Sequence, residues 1–383
     1  MKNRWVWFVC FLAITAGWQA VYSMTMTRGE LSGLFFQGDR FHRPPGMASE
    51  GYVYANSAGY DGEFYRLLAR DPLGRKGYWR YMDDPRYRAR RILIPALSFV
   101  LGAGEPAAVD FSYVLIVDVF LALGGVCFLR LAKGCCPSWL AAALYLFIPA
   151  VVASTDRMLT DGPVVAGFLA AWVFLEERRT VPLLAVLTLL PLARETALCV
   201  TAGVVAVYAV ERRFRMASLA AASTAPAVAW WCFVALRTHP SGAPGALIRL
   251  PLWPQFLRLF QPYSRPVAQP IDLFLQALDE VACLCLLLAF AWLAVRLVSD
   301  LRRGRVAEDV WLVLPSAALA AVAGSRQIMS EGYAFMRADS VLIAWAAVRM
   351  LWISPLRMAW YLPASSLALT VYRAGPFLRL LGH

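Results

Sequence analysis

Long apolar runs recur along this chain, at residues 5–24, 108–131, 138–154, 162–175, 216–236, 276–298, 309–324 and 339–353. Several reach the roughly 20 residues that a helix needs to cross a bilayer. The composition agrees, being 60% hydrophobic and only 16% charged, whereas soluble domains sit near a quarter charged. The reading is an all-α polytopic membrane protein, one integral domain over 1–383, with about 10–11 transmembrane helices.

Segment 5–24 follows Lys2 and Arg4, is not trailed by a small-x-small cleavage site, and reads as a retained signal anchor. Residues 25–107 form a first long loop carrying interfacial helices, and 108–236 a set of spans. Residues 237–275, rich in Pro, Arg and Trp, form a second loop, and 276–383 the last spans. Short basic loops mark the cytoplasm. With Lys2 and Arg4 inside, Arg130 and Lys133, Arg178 and Arg179, Arg212, Arg213 and Arg215, Arg296 to Arg305, and Arg349 and Arg357 all fall inside as well. The first loop is also basic, but loops beyond about 60 residues are largely exempt from that rule. The expected setting is the inner (cytoplasmic) membrane, N-terminus cytoplasmic, with the long loops facing the periplasm or exterior.

Two runs need separate treatment. Residues 181–210 lie between basic clusters that both belong inside, so they are read as a hairpin of two short helices. Its apex is Pro191 with Arg194 and Glu195. Residues 90–104 are too short to span and are expected along the outer interface before the true span at 108–131. No internal repeat is visible, which weighs against an inverted-repeat transporter.

The net charge of +12 could suggest nucleic acid, but the arginines flank membrane segments. Anionic lipid or phosphate is the better partner, and no nucleic acid is expected. Eight cysteines fall mostly in apolar segments without metal-ligand spacing, and three histidines exclude a histidine-rich metal site.

Polar residues in or beside a bilayer are costly and are site candidates by default. GYDGEFYRLLARDP, residues 59–72, holds Asp61, Glu63, Arg66, Arg70 and Asp71. DDPRYRARR, 83–91, adds Arg88, Arg90 and Arg91. STDRMLTDGP, 154–163, adds Asp156, Arg157 and Asp161; the hairpin apex adds Arg194 and Glu195. SRQIMSEGYAFMRADS, 325–340, adds Arg326, Glu331, Arg337 and Asp339. Each has a plainer reading. Asp161 could cap the following helix, Asp83 and Asp84 could be a solvated turn, and 86–91 could anchor to headgroups. Asp118 could bond a neighbouring helix. Glu176, Glu177, Asp300, Glu308 and Asp309 read as solvated on the inner side.

Together the outer groups place carboxylates and arginines on one face. That suits transfer of a sugar from a lipid phosphate: a carboxylate takes the proton of an acceptor hydroxyl, and arginines offset charge on the departing phosphate. A transporter or flippase of a lipid-linked glycan, or a non-catalytic envelope-assembly protein, are the alternatives.

GYDGEFYRLLARDP followed by YRARRILIPALSFVL resembles the GT-C superfamily of membrane glycosyltransferases. It is most similar to a bacterial group with the pattern Y-D-G-Q-F-Y, A-x-D-P, then Y-R-x-R-R-I-L-x-P, linked to cell-surface glycopolymers. The match covers residues 59–95 well, with TDRMLTDGP and LARETAL fitting more loosely. The resemblance implies an inverting transferase using a polyprenyl-phosphate sugar donor and a glycan or lipid acceptor. It implies Asp61 as general base with Glu63 as its partner. From the outer polar groups, Arg66, Arg88, Arg90, Arg91, Asp156, Arg157, Asp161, Arg194, Glu195 and Arg337 are the expected substrate or phosphate contacts. Glu63 stands where glutamine is commoner, which leaves a metal at Asp61 and Glu63 open; relatives using simple lipid-phosphate sugars imply no cofactor and no metal.

Overall fold

The computed structural model describes residues 4–47, 50–239, 250–260, 270–323, 329, 332–371 and 373–374. The regular structure among these residues is all helical, with no named strand and one isolated bridge between Gly38 and Tyr54. In chain order the helices are α1 Arg4–Met26, α2 Asp61–Arg70, α3 Pro85–Arg88, α4 Leu93–Leu101, α5 Pro106–Leu131, α6 Ser138–Leu146, α7 Pro149–Arg157, α8 Asp161–Glu176 and α9 Thr180–Ala193. There follow α10 Leu198–Val210, α11 Phe214–Ala222, α12 Ala225–Arg237, α13 Trp253–Phe260, α14 Pro270–Arg302, α15 Glu308–Val322, α16 Gly332–Ala338, α17 Ser340–Ile353 and α18 Pro355–Ser365.

Four stretches are long and apolar enough to cross a membrane: α1, α5, α11 with α12, and Leu273–Arg302 of α14. The pair α6 and α7, bent by 61° at its break, makes a possible fifth. The described residues therefore fall short of the 10–11 spans expected. The physical reason is length. The other apolar runs are divided by proline or charge into short helices such as α9, of 14 residues. At 1.5 Å per residue such a helix covers about 21 Å, against about 30 Å of hydrocarbon.

α5 is the central helix, packed on α1, α4 and α8. Tyr113 and Phe128 of α5, Tyr145 of α6 and Trp172 of α8 are fully buried in the shared core. Asp118, inside α5, accepts a hydrogen bond from Gln19 of α1 at 2.8 Å, the interhelical bond expected of it. Residues 90–104 contain α4, which packs on α2 and α5. Of the second loop only 237–239, 250–260 and the start of α14 are described, and Arg326 and Glu331 lie outside the described residues.

Residues 181–210 fold as two short helices, α9 and α10. α9 and α10 meet at Arg194, whose backbone is extended, followed by a short 3-10 turn at Glu195–Ala197. Their far ends return to one place, because Arg178 before α9 pairs with Glu211 after α10 at 2.8 Å and with Glu308 at the start of α15 at 2.7 Å. The same end of the bundle holds Arg130 with Glu177, Arg296 with Asp300 and Arg349 with Asp309. Asp300 and Asp309 are buried there, not solvated as the sequence suggested. Arg296 and Arg349 offset the cost of burying them. The opposite end gathers the N-termini of α2, α5 and α8 and the α9–α10 turn.

Candidate active site

α2 begins where Gly59 takes a left-handed φ of +70° and Tyr60 is extended. Asp61 and Glu63 fall in its first turn, where the helix dipole favours negative charge. Gly62 is pressed against neighbouring backbone. A Cβ there would come within 2.4 Å of the Arg157 carbonyl oxygen and 2.8 Å of that of Phe35. The helix stops at Asp71, whose carboxylate accepts from the backbone N–H of Lys76 and Tyr78, both at 3.0 Å. Pro72 follows it.

Asp61 accepts a hydrogen bond from Arg337 Nη2 at 2.8 Å and pairs with Arg88 Nη1 at 2.9 Å. Arg88 also forks onto Asp83, through Nε at 2.9 Å and Nη2 at 2.7 Å, and lies over the Phe64 ring. Arg337 extends from α16 to Asp161 at 3.4 Å, and Asp161 meets Arg194 Nη1 at 2.7 Å. The result is an alternating ion-pair chain, Asp83–Arg88–Asp61–Arg337–Asp161–Arg194. Its members come from five separate places: the segment entering α3, α2, α16, α8 and the hairpin apex.

The two carboxylates of α2 differ in electrostatics. Burial works against the charged form of Asp61, but Arg337, Arg88 and Arg91 outweigh it and hold its carboxyl well below the usual range. Asp61 is thus a firm anion and a weak base while both arginines touch it. Glu63 has no guanidinium against it. It accepts the Gly38 N–H at 3.0 Å, and its Oε1 has no partner among the described residues. Burial pushes its carboxyl up to about 8, so it is neutral near pH 7. Among the described residues no three His, Cys, Asp or Glu side chains gather as metal ligands would.

A cavity of about 70 Å³ lies beside the chain, between α8, the hairpin apex, α15 and the α16–α17 junction. Asp161, Arg194, Thr196, Ser316, Arg337 and Asp339 contribute to its wall. It has room for about two water molecules or one small polar group.

The remaining sequence candidates lie elsewhere or do structural work. Arg66 and Arg70, one turn apart on α2, both close on Asp110 at the start of α5, at 2.7 and 2.6 Å. They dock α2 onto α5. Arg91 is buried and forks onto Glu195 at 3.0 and 2.6 Å, while also bonding the Tyr65 hydroxyl. That pair ties the first loop to the hairpin apex next to the cavity. Asp156 turns away, accepting from Trp18 at 2.7 Å and pairing with Arg373 at 2.9 Å. Arg157 stacks over Phe36 and Tyr60. Arg90 is partly buried, and its Nε has no partner among the described residues. Of the expected set, Asp61, Arg88, Asp161, Arg194 and Arg337 are brought into one array. Asp339 was named among the outer polar residues but not carried into the expected substrate set, although an acid at the head of the apolar run 339–353 was a signal. Compared with known proteins, the chain matches no protein family, no curated protein and no solved structure.

Proposed function

We propose that this chain is an inverting, GT-C-like membrane glycosyltransferase that moves a sugar from a polyprenyl-phosphate donor to a cell-envelope glycan or lipid. The observation that carries this reading is the array of three arginines, Arg88, Arg337 and Arg194, held in line by Asp83, Asp61 and Asp161 beside a small polar cavity. A guanidinium fork matches a phosphate oxygen pair. An incoming lipid phosphate would share Arg88 and Arg337 with Asp61, which fixes where they point. The leaving phosphate then meets preorganised positive charge. The apolar helices around the site suit a lipid-linked donor, and the site is read as facing away from the cytoplasm. Asp118 is satisfied by Gln19, which gives no support to a polar path through the bundle for a flippase.

The test supplies membranes containing the protein with synthetic polyprenyl-phosphate hexoses and pentoses and measures release of polyprenyl phosphate. The wild type should turn over at least one donor, and Arg88→Met should raise the donor KM at least tenfold. Wild-type membranes that release no more lipid phosphate than membranes without the protein, across the whole donor panel, would sink the reading.

A further inference from the structure

Every charged residue on the cavity wall except one is committed to an ion pair. Asp161 is held by Arg194 and Arg337. Asp339 has no side-chain partner among the described residues. It stands at the N-cap of α17, where an Asp side chain ordinarily accepts a backbone N–H of the first turn. Here it does not: the backbone carbonyl of Asp339 accepts from Leu342 and Ile343, and the carboxyl makes no capping bond. Asp339 lines the cavity, two residues after Arg337.

We propose that Asp339 is the proton acceptor of the transfer reaction, with Asp61 acting as the anchor that positions Arg88 and Arg337. This rests on the glycosyltransferase reading above. The acceptor hydroxyl gives its proton to a carboxylate oxygen of Asp339. Its oxygen forms the new bond to the anomeric carbon from the face opposite the phosphate. The anomeric carbon–oxygen bond breaks, and its electron pair stays on the phosphate oxygen, whose charge is met by Arg337 and Arg88. One unpaired acid, active in its ionised form, and one ion-paired carboxylate thus divide the work between proton removal and leaving-group stabilisation.

The surroundings favour this division. Asp339 shares the cavity wall with Asp161 of α8, Arg194 of the hairpin apex and Arg337 of its own turn, and lies within electrostatic reach of Cys283 of α14. Burial pushes its carboxyl up to about 8. A general base works best with a pKa near the operating pH, a condition that Asp61, under two arginines, does not meet.

The experiment compares donor turnover against pH for the wild type, Asp339→Asn, Asp339→Glu and Asp61→Asn, with detergent thermal stability followed for each. For the wild type, kcat should rise with pH through about 8. Asp339→Asn should lower kcat on the order of 10²–10⁴-fold, leave the donor KM within about threefold and abolish the rise. Asp339→Glu should restore part of kcat and the rise. Asp61→Asn should mainly raise the donor KM and keep the pH rise. If Asp339→Asn is folded and keeps wild-type kcat and the rise, the inference is overturned while the function stands. Loss of the rise in Asp61→Asn alone would likewise overturn it and return the role to Asp61. A wild type that turns over no donor removes both.

Discussion

Arg337 and Asp61 stand 276 positions apart in the chain and 2.8 Å apart in the fold. Arg337 also reaches Asp161, so one guanidinium joins α2, α8 and α16. Arg337→Lys keeps the charge but loses the planar fork. We expect donor turnover to fall at least tenfold while the protein remains monodisperse in detergent. Wild-type turnover in Arg337→Lys would show that point charge alone suffices at this position.

Glu63→Gln should be tolerated. The neutral, buried Glu63 carboxyl is the electrostatic equivalent of an amide, so donor turnover is expected within about twofold of wild type. Its folded pKa is raised, to about 8, over an ordinary value near 4.3. Stability tied to this proton is complete below the ordinary value and is lost as pH climbs through about 8. Thermal melts from pH 5 to 9 should show that loss in the wild type and a flatter profile in Glu63→Gln. A parallel decline in both proteins would count against a buried, protonated Glu63.

Arg66 and Arg70 are predicted to matter for folding and not for donor binding. Asp110→Ala takes the carboxylate from buried Arg66 and leaves Arg70 only Glu50, and breaking a buried pair in this way costs about 3–5 kcal/mol. The thermal midpoint should fall sharply. For Arg66→Met the donor KM of the surviving folded fraction should stay near wild type, in contrast to Arg88→Met. A tenfold rise in KM for Arg66→Met would place Arg66 in the donor site after all.

Gly62→Ala should destabilise the first loop. Alanine is favoured over glycine in a helix by about 1 kcal/mol. Here, however, the added methyl meets two backbone carbonyl oxygens that cannot rotate away, and overpacking of this kind costs about 1–3 kcal/mol. The net effect should be a lower melting midpoint and reduced turnover, since the displaced segment carries Asp61. An unchanged midpoint would mean the 31–36 segment yields easily.

Much of this arrangement was legible before the structure. The hairpin followed from two basic clusters that both sought one side, and Arg178 does join its two feet to α15. Interfacial helices were expected in the first loop, but the start of α2 at Asp61, with Gly62 in its first turn, was not. Partner choice was not legible. Arg66 and Arg88 look alike in sequence, yet one closes on Asp110 and the other on Asp61, because helix packing decides which carboxylate lies within reach. Asp156 and Asp161 are five residues apart, but a left-handed Met158 between α7 and α8 turns them to different neighbours. Among the described residues, apolar runs also outnumber helices long enough to cross a membrane, since hydropathy does not register the breaks that shorten them.

The ion-pair chain has a consequence for biogenesis. Its links lie at positions 61, 83, 88, 161, 194 and 337, so they leave the ribosome in widely separated instalments. Asp61 meets Arg88 early, and Asp161 meets Arg194 after two helices, α8 and α9. The cation that joins these two halves arrives only when most of the chain has been made. Until then the nascent protein carries two unjoined charged fragments at one end of an apolar bundle. Truncation anywhere before α16 would leave them so, and only the completed chain closes the circuit.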